Sequence, residues 1–383
     1  VMWSFCRWTK NIYLPKRRAF NIIVCGLILI FAASIFLGKF LPENDYQLLI
    51  LRFSNYWIGF LIYLIFFILT ADLFLLLLKL ASRHIKSSKH LLSSVFLRTI
   101  LGFLVILLSI SFTVYGCFHA KMLTTAHYKA TIQKSAGNLT DLRMILLGDF
   151  HLGYSVGCSQ IEDMVNTINS ENADIVVIAG DIFDNEYEAV QNPDRIAKTL
   201  AGIKSRYGSF GVFGNHDVTE RLLGGFSVAS QAKEMRDPRF EEFAKKAKIR
   251  ILDDEVMLID DAFYLVGRKD AQKPGDGTKN RIEPEVILSG LDKAKPIIVL
   301  EHQPKQLKEL ETSGADMQLC GHTHDGQMFP GNLTVKLMWE NACGYLKKGN
   351  LHSIVTSGVG VWGPAMRVGT DCEICPITIH FQG

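Results

Sequence analysis

The pattern of apolar and polar positions divides the chain into two unlike parts. The first part contains three uncharged stretches long enough to cross a bilayer, which takes about 20 apolar residues. These stretches predict membrane helices at about 19–38, 53–78 and 99–120. The second part alternates short β-branched runs with amphipathic stretches, a pattern typical of α/β domains. We therefore expect a transmembrane domain at 1–120, a linker at 121–140 and a globular domain at 141–383.

The globular part is predicted to contain buried strands that end at polar or glycine-rich turns. These strands are expected at 144–148, 174–180, 210–214, 296–302 and 315–321. Helices are expected at 159–170, 193–206, 238–248 and 304–313. Segments 332–337 and 372–380 are predicted as further strands, without helices between them. Strand–helix alternation that gives way to strands predicts an α/β sandwich with mixed sheets.

Charge separates the two parts further. The net charge is +3, yet residues 1–119 carry 12 Lys and Arg against 3 Asp and Glu. Five of the 12 precede the first span, two lie in the first loop and five lie in the second loop. Because cytoplasmic flanks collect Lys and Arg, this pattern predicts a cytoplasmic N-terminus. With three spans, the chain would be a multi-pass integral membrane protein whose globular domain is extracytoplasmic.

Composition excludes several classes of protein. With 48% hydrophobic and 21% charged residues, the chain is too apolar to be disordered. Its globular part is mildly acidic without a basic face, so nucleic acid is not an expected partner. Asp72 is expected to be a snorkelling or locally paired acid. The eight cysteines leave any disulfide pairing open, and Val1 and the terminal HFQG are typical of cloning remnants.

The polar residues with the clearest chemical meaning follow the predicted strands. In strand order they are Asp149 and His151, Asp181 and Asp184, Asn215 and His216, His302, and finally His322 and His324. Ligands collect outside the carboxyl ends of strands in open α/β sheets. One such pair would be typical of an ordinary turn, but five in succession indicate a metal site.

This ordered set, D-x-H, G-D-x-x-D, G-N-H-D, a lone His and G-H-x-H, resembles the calcineurin-like metallophosphoesterases over residues 141–380. GHTHDGQMFPG (321–331), VGRKD (266–270) and SGVGVWGP (357–364) are similar to its membrane-associated YkuE/YaeI-type branch. That branch usually reads GHTHGGQ, whereas Asp325 here replaces a glycine. The resemblance implies a four-layer αββα sandwich with mixed β-sheets and makes the globular domain a catalytic one.

The resemblance also implies two divalent metal ions. Asp149, His151, Asp181 and His324 would hold one ion, and Asp181, Asn215, His302 and His322 the other. Asp181 would bridge them, and a hydroxide between the ions would attack phosphorus. Mixed imidazole, carboxylate and amide ligands favour Mn²⁺, with Fe or Zn²⁺ as alternatives.

Further roles are implied for residues beside the ligands. His216 would stabilise the transition state or protonate the leaving oxygen, Asp184 would orient its ring, and Asn215 would also contact substrate. Arg268 is either a clamp for the substrate phosphate or half of a surface salt bridge. Trp362 either walls the pocket or packs, and Gln327 and Asp325 flank the site.

The expected function is a membrane-anchored phosphohydrolase that cleaves a phosphate ester. Proximity to the bilayer makes a lipid or lipid-linked cell-envelope intermediate the natural substrate class. One alternative is a UDP-diacylglucosamine-type pyrophosphohydrolase, which would need cytoplasmic access to its substrate. An alternative of another class is a non-catalytic envelope protein that binds or signals. The oligomeric state stays open.

Overall fold

The computed structural model describes residues 1–10, 16–41, 45–83, 94–223, 226–228, 235–278 and 280–383. The chain divides into two compact units. The helical unit comprises Val1–Phe118 with Gly363–Met366, and the sheet unit comprises His119–Trp362 with Arg367–Gly383.

The helices of the first part of the chain are α1 (Met2–Thr9), α2 (Arg17–Leu37), α3 (Asp45–Ala81) and α4 (Val95–His119). Among the described residues, α2, α3 and α4 are long and apolar enough to cross a membrane. They match the three predicted spans, although α3 begins eight residues early and α1 was not predicted. The 37 residues of α3 extend about 55 Å, more than the ~30 Å of a bilayer core.

Two predictions about the helical unit concern individual charges. Asp72 on α3 forms an ion pair with Arg7 on α1, so this acid is locally paired. Lys86 and Lys89, on which the predicted orientation partly depends, lie outside the described residues.

The described part of the sheet unit contains two large mixed sheets. The first consists of β1 (Leu123–Thr125), β2 (Tyr128–Ile132), β3 (Asp141–Leu147), β4 (Ile175–Ala179), β5 (Ser209–Val212), β8 (Ile249–Ile251) and β15 (Cys372–Phe381). Its order is β1-β15-β3-β4-β5-β8, and β2 also pairs with β15. β3, β4, β5 and β8 are parallel, whereas β15 runs antiparallel to β3.

The second sheet has a parallel centre with antiparallel edges. Its strands are β9 (Glu255–Ile259), β10 (Phe263–Gly267), β11 (Ile297–Leu300), β12 (Met317–Cys320), β13 (Gly344–Lys348) and β14 (Leu351–Val355). Their order is β13-β14-β12-β11-β10-β9. A small hairpin, β6 (Arg221–Leu223) with β7 (Phe226–Val228), forms a separate sheet.

The helices of the sheet unit are α5 (Cys158–Ser170), α6 (Pro193–Leu200), α7 (Pro238–Lys246), α8 (Pro284–Ile287), α9 (Leu307–Thr312) and α10 (Gly331–Met338). The main core lies between the two sheets, where Leu146 and Val177 share a cluster with Leu300. On the far face of the second sheet, Val299 packs with Leu310 of α9. The result is the αββα layering with mixed sheets that the sequence predicted.

Three expectations about the sheet unit are corrected. Segment 332–337 is not a strand but the centre of α10, because its β-branched Thr334 and Val335 have no neighbouring strand among the described residues and only Val335 is buried. Residues 121–140 are not a linker, since β1 and β2 pair with β15 as part of the first sheet. Phe381 lies in β15 and is buried in the core, so the terminal HFQG is structural in part.

Candidate metal centre

The predicted ligands converge where the carboxyl ends of the two sheets meet. Asp149 and His151 follow β3, Asp181 follows β4 and Asn215 follows β5, all in the first sheet. His302 follows β11, and His322 and His324 follow β12, in the second. The ligand residues are therefore brought together by two layers whose facing sides form the main core.

Five of these ligands have a strained backbone conformation. Left-handed φ angles between 47° and 76° occur at Asp149, His151, Asp181, His322 and His324. Each such conformation costs a non-glycine residue about 1–3 kcal/mol and persists only where its surroundings enforce it. Sharp turns of this kind let consecutive side chains of D-x-H and G-H-x-H point to the same place.

The first ligand group contains Asp149, His151 and His324. Their candidate ligand atoms lie within 4.8 Å of one another and all three residues are buried. The Nε2 atoms of His151 and His324 are 3.0 Å apart, and His324 Nε2 is 3.8 Å from Asp149 Oδ1. Gly358 backs this group, because a Cβ there would lie 2.6 Å from the Cβ of Asp149.

The second ligand group contains Asp181, His302 and His322, again within 4.8 Å. His302 Nε2 lies 3.1 Å from Asp181 Oδ2, 3.1 Å from His322 Nδ1 and 3.0 Å from Asn215 Oδ1. The other ring nitrogen of His302 donates to the carbonyl of Ala179 at 2.7 Å. That hydrogen bond fixes the tautomer and leaves Nε2 as the ligand atom.

Asp181 belongs to the second group and also faces the first. Its Oδ2 is 3.1 Å from His302 Nε2 in the second group and 3.6 Å from His151 Nε2 in the first. Its Oδ1 accepts a hydrogen bond from the backbone N–H of His216 at 2.8 Å. The carboxylate is thus fixed on one side and faces imidazoles of both groups on the other.

The electrostatics of the cluster demand positive charge. Although burial favours a neutral imidazole, Asp181 and Asp149 raise the pKa of His302 to about 10. Burial raises the pKa of Asp149 to about 6, and burial with the charge of His302 lowers the pKa of His322 to about 3. The buried carboxylates therefore hold a proton on His302, whereas burial and the charge of His302 exclude a proton from His322. A nitrogen and oxygen set of this kind fits divalent cations, with the seven predicted ligands as their holders.

His216 lies beside the ligands and is oriented by Asn185. The Nδ1 of His216 is 2.6 Å from Asn185 Oδ1, whose amide nitrogen donates to the carbonyl of Val218 at 3.0 Å. Since an amide oxygen only accepts, Nδ1 carries the proton and Nε2 is left for chemistry. Asp184 Oδ1 lies 3.5 Å from Nδ1 of both His216 and His151. Burial opposes the charged carboxylate, but these two imidazoles lower the pKa of Asp184.

Arg268 is not placed among the site residues. Its guanidinium is fully buried and donates to Glu301 Oε2 at 2.8 Å, Gln306 Oε1 at 2.9 Å and the carbonyl of Ile282 at 3.0 Å. A guanidinium held in this way is unavailable to a phosphate from solvent. The predicted phosphate clamp is therefore corrected to a buried ion pair, and the alternative of a surface salt bridge is also wrong.

The residues that flank the ligands have defined positions. Trp362 lies edge-on to the His216 ring, with centroids 6.0 Å apart, so it walls this side of the site. Gln327 bonds the backbone N–H and carbonyl of Trp362 through its side-chain amide, at 2.8 and 2.7 Å. Asp325 has a φ of 48°, which explains why a glycine suits this position. Burial raises the pKa of the Asp325 carboxyl.

Sequence reasoning missed Arg367, whose fully buried guanidinium supports the G-H-x-H turn. It donates to the carbonyls of His324, Ser357 and Gly360 at 2.6–2.8 Å, and its Nη2 is 3.2 Å from His324 Nδ1. A lone arginine three residues after SGVGVWGP carried no sequence signal of this role.

Trp339 and Lys305 were also missed. The Trp339 ring lies edge-on to His322 with centroids 5.3 Å apart, and Lys305 Nζ is 5.7 Å from the Trp339 centroid. Neither residue belongs to a motif. Both are brought to the site by tertiary packing, which the sequence pattern does not reveal.

The family model for calcineurin-like phosphoesterases matches residues 142–326. Over 380 residues the chain is 30% identical to a Danio rerio protein called transmembrane protein with metallophosphoesterase domain, covering 95% of this chain and 81% of that one. It is 27% identical to an uncharacterized metallophosphoesterase of Campylobacter jejuni, covering 97% and 95% of the two chains. Identity to the YkuE metallophosphoesterase of Bacillus subtilis is 25%, covering 62% and 78%.

The fold and the ligand groups define a metal-dependent phosphoesterase. The chain belongs to the calcineurin-like metallophosphoesterase family, and its suspected kinship with the YkuE-like branch is consistent with these relatives. The apolar helices and the name of the Danio rerio relative mark it as a membrane protein.

Proposed function

We propose that the chain hydrolyses a phosphate ester at a centre of two divalent metal ions. The observation that carries this proposal is the position of Asp181, whose Oδ2 faces His302 at 3.1 Å and His151 at 3.6 Å. Asp149, His151 and His324 would complete one ion's ligands, and Asn215, His302 and His322 the other's. Ions held there would polarise phosphate oxygens and supply hydroxide at neutral pH. The ligand chemistry favours Mn²⁺, with Fe or Zn²⁺ as alternatives.

His216 is the proposed proton donor to the leaving oxygen. Its Nδ1–H is committed to Asn185, so Nε2 is the atom available to carry and release the proton. Asp184 lies 3.5 Å from Nδ1 of His216 and of His151. We assign it the shared task of holding both rings in place. Asn215, already a proposed ligand, would also face the substrate.

The substrate is proposed to be borne on a lipid. The support for this proposal is that three helices of spanning length would tether the chain to a bilayer, whose lipids carry phosphate esters. The distribution of Lys and Arg supports a multi-pass anchor with the sheet unit on the extracytoplasmic side. A reporter fused after Gly383 tests this side, and a cytoplasmic signal would favour the nucleotide-linked lipid alternative instead.

The test of the two-metal centre is Asp181→Asn in the full chain. The variant is expected to lower Mn²⁺-dependent hydrolysis of an aryl phosphodiester by about 10³-fold, because removing preorganised charge stabilisation at a reacting centre costs this order. Chelation should abolish wild-type activity and added Mn²⁺ should restore it. Exposed Asp292→Asn is the matched control and should leave turnover and metal content unchanged.

A second variant separates metal binding from proton transfer to the leaving group. His216→Ala is expected to keep the metal content and lose about 10²–10⁴-fold in kcat, the usual contribution of a positioned acid. Loss of metal from this variant would make His216 a ligand instead. Undiminished turnover of Asp181→Asn would refute the two-metal centre.

A further inference from the structure

Helix α10 presents an apolar surface beside the metal centre. Only Val335 of this helix is buried. Leu333, Leu337 and Met338 are 55%, 88% and 75% exposed, and Leu337 is the most exposed large apolar side chain among the described residues. Leu333 and Leu337 are four residues apart and therefore share one face of the helix. We call Leu333, Leu337 and Met338 the α10 apolar surface.

The α10 apolar surface is directly connected to the ligand turns. The backbone of Gly331, where α10 begins, lies so close to the carbonyl of Gly326 that no side chain would fit between them. At the other end, α10 runs into Trp339, whose ring contacts the His322 ring with centroids 5.3 Å apart. Both ends of the helix thus contact residues 322–326, a segment that contains two predicted ligands.

A cavity of about 440 Å³ lies at the foot of this helix. It is lined by Met338 and Trp339 together with three lysines, Lys305, Lys308 and Lys348. Glu309 and Glu340 also line it, and Lys348 Nζ donates to both carboxylate oxygens of Glu340 at 2.8 and 2.9 Å. Lys305 and Lys308 remain against Glu309, which leaves a small positive balance. A cavity with an aromatic wall and a cationic balance suits an anionic head group, and its Trp339 wall adjoins the metal centre.

The chemistry of α10 matches the interfacial layer of a bilayer. Exposed leucine and methionine beside lysine and tryptophan is the composition of segments that lie at the boundary of head groups and acyl chains. Lys336, adjacent to Leu337, is exposed and has a stem long enough to reach phosphate groups. Because α2, α3 and α4 mark this chain as a membrane protein, a bilayer is the apolar partner that the chain is already expected to bind.

We propose that the α10 apolar surface dips into the bilayer interface and guides the phosphate of a lipid past Trp339 to the metal centre. Acyl chains would lie against Leu333, Leu337 and Met338, and the head group would occupy the lysine-lined cavity. This inference rests on the proposed phosphohydrolase function and names the element that presents the lipid to it.

The first test measures contact with lipid and needs no activity. Leu337→Trp and Val286→Trp are each prepared in the full chain and reconstituted in vesicles of phosphatidylcholine brominated on the acyl chains. Val286, 60% exposed on α8, is the matched control. The brominated acyl chains should quench the tryptophan fluorescence that Leu337→Trp adds. They should not quench the fluorescence that Val286→Trp adds. Equal quenching of the two, or none at position 337, would overturn the proposal.

The second test measures delivery of substrate. Leu337→Ser with Met338→Ser should lower kcat/KM for a phospholipid phosphate ester in vesicles, relative to a soluble aryl phosphodiester, about ten-fold or more. Val286→Ser should leave this ratio unchanged. An unchanged ratio of the two kcat/KM values in the double variant would refute a membrane contact. So would a double variant that keeps this ratio but no longer self-associates. Failure of the wild type to hydrolyse either substrate would refute the proposed function, and the quenching result would still stand.

Discussion

Two buried polar clusters begin at neighbouring residues of the second sheet. Glu301 and His302 both follow β11 and both are fully buried. Glu301 accepts from Arg268 at 2.8 Å and Gln318 at 2.6 Å, and pairs with Arg281 at 2.6 Å. The ligand atom of His302 instead faces a carboxylate oxygen, an amide oxygen and a second imidazole nitrogen.

The difference separates a structural cluster from a binding site. Each oxygen of Glu301 meets a donor from the protein itself, so this carboxylate is satisfied without a ligand. Around His302 the ligand atoms are mainly acceptors aimed at one another, an arrangement that a cation completes. Burial alone is therefore uninformative, whereas the balance of donors and acceptors distinguishes the two.

The largest predicted effect is a loss of stability when the structural cluster around Glu301 is changed. Glu301→Gln removes the charge between Arg268 and Arg281 while keeping the side-chain shape. Leaving buried guanidinium groups unpaired should lower the free energy of unfolding by about 3–5 kcal/mol. Urea unfolding of the full chain in detergent, followed by near-ultraviolet circular dichroism, measures this loss.

Metal content per folded chain should be unchanged in Glu301→Gln, as elemental analysis can establish. Exposed Glu285→Gln on α8 is the matched control for charge removal. If Glu301→Gln kept its stability and lost metal, the separation of the two clusters would be wrong.

An intermediate effect is expected where an arginine supports the metal centre. Arg367→Met removes the donor beside His324 Nδ1 and releases the carbonyls of Ser357 and Gly360. Loss of such support for a ligand should weaken metal affinity about 10–100-fold. Competition with a chelator of known affinity measures it.

Arg268→Met is the matched control, because that guanidinium is equally buried but belongs to the Glu301 cluster. It should destabilise the fold and leave metal affinity as in the wild type. Equal metal affinities in the two arginine variants would contradict the role assigned to Arg367.

The smallest predicted effect is on orientation of His216. Asn185→Ala removes the acceptor 2.6 Å from His216 Nδ1 and should lower kcat about ten-fold, at the low end for groups that orient a functional histidine. KM and metal content should stay the same, and the pH profile of kcat should shift. Asn185→Asp, which restores an acceptor, should recover part of kcat. A variant that lost metal would instead indicate that Asn185 supports the ligands.

The sequence predicted most of the elements that supply ligands. Strands β3, β4, β5, β11 and β12 lie where their apolar runs end in polar turns, because buried parallel strands are nearly continuous apolar segments. The convergence of Asp149, Asp181 and His302 followed from motif order and the rule for strand ends. Local pattern and resemblance were sufficient wherever residues act from turns directly after strands.

Tertiary packing determined what the sequence could not predict. β1 and β2 are short and half-polar, and become strands only through pairing with β15. Segment 332–337 has the β-branched residues of a strand but forms α10, and no strand of the described part of the chain pairs with it. Arg268 belongs to a motif, yet its guanidinium forms a buried ion pair with Glu301. Arg367 lies outside any motif, yet its guanidinium contacts the predicted ligand His324. Strand pairing decided the first two cases and side-chain direction decided the two arginines, and both depend on residues distant in sequence.

The position of β15 in the first sheet bears on how the protein is made. Cys375 pairs with Leu146, and Ile377 with Tyr128, so strands from opposite ends of the sheet unit lie side by side. During synthesis β3 therefore emerges long before the strand that covers its edge, and an uncovered apolar edge favours aggregation. The turn after β3, which carries Asp149 and His151, therefore cannot take its final position in the first sheet until β15 has been synthesised. Chaperones that hold exposed strands should therefore matter most for this protein between insertion of its helices and completion of its chain.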